Sequence, residues 1–191
     1  MKSAITAAVV LLLVVGVTAA FVYSGAYNVA ADEPHWPITE SLLNVLRKRS
    51  IETRARALAP PDLVDEKRIA AGASQYAEMC ESCHLAPGIA ESELRKGLYP
   101  KPPELARRAH GDAREMFWIV KHGIKATGMP AWGPTHDDET LWNVVAFLQK
   151  LPQLDEKGYR ELVEMGEPHT PIPQHGKAAD GHSHGAKPHT H

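Results

Sequence analysis

A chain of 191 residues with 43% hydrophobic content holds one ordinary domain plus appendages. Its 21 Lys and Arg nearly balance 23 Asp and Glu, so no overall field points to nucleic acid or to a strongly acidic partner. Both cysteines lie three positions apart and are followed directly by histidine, which excludes a disulfide framework and assigns the pair to one site.

In chain order, residues 5–22 form an unbroken run of apolar and small residues, preceded by Lys2 and without a charge. A secretory core is usually about 7–15 residues and a spanning helix about 17–25, so the run fits a membrane anchor better. Val29-Ala30-Ala31 nevertheless offers a small-residue pattern for signal peptidase. Residues 1–31 are thus an anchor or an uncleaved signal. Lys2, the only flanking positive charge, places the chain beyond Ala31 on the far side of the membrane.

Residues 32–61 form a basic linker. Within them, 39–59 predict a helix: Thr39 and Glu40 suit its start, Leu42, Leu43, Leu46 and Ile51 recur at helical spacing, and Pro60-Pro61 stops it. Arg47, Lys48, Arg49, Arg54 and Arg56 outnumber Glu40 and Glu52, which suits anionic headgroups, a partner or plain solvent.

A globular domain is expected over 62–154. Its first helix, 65–79, carries Ile69, Ala73 and Tyr76 on one stripe with Gly72 for close approach, and runs into Cys80. A second, 113–122, presents Met116, Phe117, Ile119 and Val120 and ends at Gly123, which suits a left-handed cap. The last starts near Asp137 or Asp138 and stops before Pro152, with Leu141, Trp142, Val145 and Leu148 at helical spacing. No strand ladder is predicted, so the fold class is all-α. Pro- and Gly-rich loops separate these helices, and so small a domain needs a large apolar cofactor to pack on. Residues 155–191 are an extension whose periodicity fades after about Tyr159, ending in a tail too polar to form a core.

Cys80-Glu81-Ser82-Cys83-His84 carries the chemistry, because Cys-x-x-Cys-His reads as c-type haem attachment. Two thiols on one turn can each add to a vinyl group of one porphyrin while the adjacent imidazole reaches the iron. A thioredoxin-like motif would instead follow a strand and open a helix, and a structural zinc site would want four Cys or His ligands. The sixth ligand decides between electron transfer and small-molecule binding. Met129, in the loop Gly128-Met129-Pro130, is the leading candidate, because no regular structure there competes for its backbone. Its rival role is core filler. Met79, Met116, His110 and His122 are fallbacks, His122 first among them.

From residue 65 to 152 the chain resembles the class I, single-haem cytochrome c family. The resemblance rests on order: a helix with Gly72 and Tyr76, the Cys80, Cys83, His84 motif, Pro87-Gly88, then Gly128-Met129-Pro130-Ala131-Trp132 and a final helix with Trp142 and Phe147. It implies a cytochrome c-like helical domain around one covalent haem c, following a transmembrane helix and a linker helix as in membrane-anchored bacterial relatives. It also implies a crossing of first and last helices at Gly72, Tyr76 and Trp142. Electrons would leave by the haem edge near Cys83, with Lys96, Lys101 and Lys125 as rim candidates or solvated loop lysines. With His84 and Met129 as ligands the iron stays low-spin, and the thioether raises its potential.

The expected function is single-electron transfer in a respiratory or dehydrogenase-linked chain rather than enzymatic catalysis, with redox proteins as donor and acceptor. The expected location is the inner membrane, with the haem domain in the periplasm. The alternatives are a haem-based peroxidase or gas sensor with a labile distal ligand, and a metal handler acting through the tail. In the tail, His169, His175, His182, His184, His189 and His191 are candidates for a divalent metal.

Overall fold

The computed structural model describes residues 2–108 and 110–166. Eight α-helices and two short 3-10 turns account for the regular structure there, and no strand occurs among the described residues. The all-α expectation holds.

Helix α1, Lys2–Tyr23, buries none of its residues and has a mean hydropathy of 2.7 over its best window. At 1.5 Å per residue its length is roughly 33 Å, enough to cross a hydrocarbon core. It is a candidate membrane anchor. An aromatic elbow leads out of it: Trp36 packs on Phe21 and Tyr27 at 5.9 and 5.1 Å between ring centroids, and the Tyr27 hydroxyl bonds His35 Nδ1 at 2.8 Å. The His35 backbone N–H donates to the Tyr99 hydroxyl at 3.1 Å, fastening the elbow to a loop 64 residues on.

Pro37, pre-set in φ, opens α2, Pro37–Ala55. That is two residues earlier than Thr39, and the end falls at Ala55 rather than Ala59. Only Ile51 and Ala55 are buried, at the end that meets α6. The N-terminal half leaves Ile38, Leu42 and Val45 exposed.

Helices α3, Glu66–Met79, and α7, Asp138–Lys150, form the central crossing. Aspartates cap both: Asp65 accepts from the Lys67 and Arg68 N–H groups, and Asp137 from the Thr140 N–H at 2.8 Å. A Cβ on Gly72 would stand 1.9 Å from the Asn143 carbonyl oxygen, so only glycine permits this approach. Tyr76 meets Phe147 there at 5.3 Å.

The aromatic partner differs from the expectation, because Trp142 turns away from α3. It stacks on Phe117 of α6, Ala113–His122, at 4.0 Å and 11°. Positions 143 and 147 share a helix face one turn apart, whereas 142 and 145 sit on the adjoining face. Two clusters result, one around Tyr76, Val144 and Phe147, the other around Phe117, Trp142 and Val145.

Past Leu154 the chain continues as α8, Glu156–Met165, where sequence periodicity suggested an ending near Tyr159. Asp155 caps it by accepting from the Gly158 N–H at 2.8 Å. Tyr159, Leu162 and Val163 lie within one turn of each other and pack on the Tyr76 cluster. This stripe of three apolar residues was outweighed by the charges around it.

Candidate functional site

The site begins where α3 ends. Cys80 caps that helix with its N–H on the Tyr76 carbonyl at 2.9 Å, and the chain makes one more turn as α4, Glu81–His84. The Cys83 and His84 N–H groups both return to the Cys80 carbonyl, at 3.1 and 2.8 Å. One turn therefore holds both thiols and the imidazole. Cys80 is buried, which pushes its thiol up to about 12, and Cys83 is half-buried.

Leu85 leaves the turn with φ 60°, a left-handed conformation that costs a side-chain-bearing residue about 1–3 kcal/mol. The Tyr76 hydroxyl donates to its carbonyl at 2.5 Å, and burial keeps that phenol protonated by raising it well above the ordinary range. The reversal is thus locked from the helix crossing itself.

His84 is half-buried, and its Nδ1 lies 2.9 Å from the Pro103 carbonyl oxygen. A carbonyl only accepts, so Nδ1 carries the proton and Nε2 keeps its lone pair. Burial pushes the imidazole below its ordinary value, the Pro103 bond opposes this, and the Arg95 charge adds to the lowering. The neutral, Nε2-free imidazole is the form that binds metals.

Pro103 is itself held in place. Arg95, 5% exposed at the end of α5, Glu93–Lys96, pairs with Glu91 at 3.0 Å and Glu104 at 3.3 Å, and donates to the Pro102 carbonyl at 3.1 Å. Lys101 adds a 2.8 Å bond to Glu91. This network fixes the loop opposite His84. Sequence reasoning passed over Arg95, although Glu91 four residues ahead of it is the spacing at which helical ion pairs form.

Met129 occupies a separate loop braced from several sides. Its N–H donates to Thr127 Oγ1 at 3.1 Å, its carbonyl accepts from the Ile124 N–H at 3.2 Å, and Trp132 and Gly133 donate to carbonyls of α6. Gly123 has φ 64°, as its capping position predicted, and a Cβ on it would meet the Met129 carbonyl oxygen at 2.7 Å. The Met129 backbone thus rests directly on the end of α6.

The fallback ligands fare differently. Met116 packs between the two clusters, and Met79 lies against the first. His122 is exposed beside Trp118, at 4.9 Å between rings. Lys101 is tied to Glu91, while Lys96 and Lys125 are exposed. The six tail histidines lie outside the described residues, among which no group of three or more metal-binding side chains occurs.

A cavity of about 740 Å³ lies between α2, the loop containing Tyr99-Pro100, the outer side of α6 and residues 123–127. Its wall contains none of Cys80, Cys83, His84 and Met129, yet it adjoins the loops that hold Pro103 and Met129. Pro100 is three residues from Pro103, and Thr127 is bonded to Met129.

Residues 67–148 match the family described as Cytochrome C oxidase, cbb3-type, subunit III. They form a monohaem c-type cytochrome domain. No curated protein and no solved structure gives a significant match. The cytochrome domain carries one covalent haem c with its iron, and its activity is electron transfer with redox partners. The residues present suit that group. Paired thiols on one turn adjoin a neutral imidazole whose Nε2 is left with its lone pair.

Proposed function

We propose that Cys80 and Cys83 hold the haem through thioether bonds, that His84 and Met129 are its axial ligands, and that the protein is a membrane-tethered single-electron carrier. The observation that carries this reading is the His84 Nδ1 bond to Pro103, beside two thiols on the same turn.

The haem supplies the electron-accepting iron. The chain supplies the rest. Pro103 orients the imidazole and fixes its tautomer, and the Arg95 network keeps Pro103 in position. Thr127, Gly123 and the bonds to α6 hold the Met129 thioether on a braced loop, so the ligand set need not change between oxidation states. A soft thioether favours ferrous iron and raises the potential. A high potential, together with the matched family's description as an oxidase subunit, supports a place at the oxidising end of a respiratory or dehydrogenase-linked chain.

Lys2 ahead of an 18-residue uncharged run supports retention in the inner membrane with the haem domain on the periplasmic side. Protease added to intact spheroplasts should then remove the haem domain from the membrane fraction.

The ligand assignment is tested with carbon monoxide and potentiometry. The reduced wild-type protein should show no prompt spectral change with carbon monoxide, whereas Met129→Ala should bind it, keep covalent haem and have a lower potential. An unchanged potential in that variant rules Met129 out as the distal ligand.

A further inference from the structure

The 740 Å³ cavity has a wall of mixed character. Leu43, Leu46, Ile51, Trp118 and Ile124 make it apolar, and Leu43 and Leu46 remain 38% and 56% exposed. Its cations are Arg47, Arg54 and Lys125, facing Glu40 as the single carboxylate. His35, Asn44, Ser50, Tyr99, His122 and Thr127 complete the polar lining.

The two arginines are poorly employed. Among the described residues Arg47 bonds only to Asn44 Oδ1 of its own helix, at 2.7 Å, and Arg54 only to the Ser50 carbonyl and hydroxyl, at 3.2 and 2.9 Å. Neither makes an ion pair among the described residues. Arg95 shows the contrast, buried with two carboxylates and a carbonyl. An apolar space ringed by unpaired cations suits a ligand that is flat and apolar with an anionic edge.

A haem fastened through its vinyl groups carries its two propionate carboxylates away from the attachment. The cavity lies in that relation to the chain: it excludes the 80–84 turn and adjoins the loop of Pro103, which bonds His84, and the loop of Met129.

We infer that α2 is part of the haem crevice, and that Arg47 and Arg54 bind the haem propionates. This rests on the proposed attachment at Cys80 and Cys83. It gives the linker helix, which lies outside the matched cytochrome segment 67–148, a direct role in cofactor binding. Guanidinium–carboxylate pairs at the cavity's solvent-facing edge stabilise the ionised propionates and offset the negative charge they bring to the iron.

The test compares two double variants of the full chain that each remove two positive charges from α2 or the residue that caps it. Arg47→Gln/Arg54→Gln removes the cavity arginines. Arg49→Gln/Arg56→Gln is the control, because neither residue lines the cavity. The pyridine haemochrome spectrum reports covalent haem, potentiometry the iron and resonance Raman the propionate bending mode. The cavity variant should keep covalent haem, lower the potential more than the control does, and shift the propionate mode, which the control leaves in place. Equal potentials in the two variants, or an unmoved propionate mode, overturn the inference. Absence of covalent haem from the wild-type protein would instead defeat the reading of the attachment site.

Discussion

At the scale of single residues, the proposed site depends on side chains outside its proposed ligand set. Gly123 is one. Its φ of 64°, and the 2.7 Å that would separate a Cβ from the Met129 carbonyl oxygen, leave a larger residue nowhere to go but into the loop. Gly123→Val should displace the Met129 loop, so that carbon monoxide binds a fraction of the reduced protein and the potential falls, with covalent haem intact. Glu91 makes a second case. Lys101 and then Arg95 hold its carboxyl down to about 2, against an ordinary value of 4.5. A group depressed on folding binds more protons unfolded, so its contribution is present above pH 4.5 and is lost as the pH falls toward 2. Thermal melts between pH 2 and 6 should show the wild-type protein losing stability over that window and Glu91→Gln losing less. Such residues were hardly legible in the sequence. The Cys80-to-His84 motif lies within five consecutive residues and folds as one turn, whereas the Arg95 clamp joins Glu91, Pro102 and Glu104 only once the loop closes.

Whole elements were legible where their ends carried a chemical signature. Asp137 caps α7 at the start expected for it, Asp65 caps α3 one residue ahead of its first turn, and Gly123 closes α6. The face that each aromatic would take was not so readable. Trp142 and Phe147 are both at helical spacing, and only the Gly72 contact with Asn143 sets the rotation that gives Phe147 to α3 and Trp142 to α6. Helix α8 was missed because its apolar stripe is three residues long, yet it packs on α3 and sends the Tyr159 hydroxyl to the Glu81 carboxylate inside the Cys80-to-Cys83 interval. Tyr159→Ala should therefore cost about 3 kcal/mol in guanidinium unfolding of the haem-loaded protein. Tyr159→Phe keeps the ring against Tyr76 and Phe147 and should cost only about 1 kcal/mol. Equal costs for the two variants would place the contribution of α8 in the hydroxyl rather than in packing.

For the molecule as a whole, the anchor and the cytochrome domain make contributions that can be separated. Helix α1 buries no residue, so the core loses nothing if it is removed. Helix α2 buries Ile51 and Ala55 against α6, and the His35 backbone N–H holds the start of the linker to Tyr99. In the proposed tethered arrangement the candidate anchor thus joins the cytochrome domain through a braced elbow rather than a free tether. A chain beginning after Tyr23 should be soluble, with the spectrum and potential of the full-length protein. A chain beginning after Pro61 loses the packing of Ile51 and Ala55 on α6, the helix whose end braces the Met129 loop. Its midpoint of unfolding should fall by an amount that roughly 2 kcal/mol for a buried Ile side chain sets as a minimum. Spectra and guanidinium titrations of the three chains side by side would decide whether the linker belongs to the anchor or, as its buried end and its cavity face indicate, to the cytochrome.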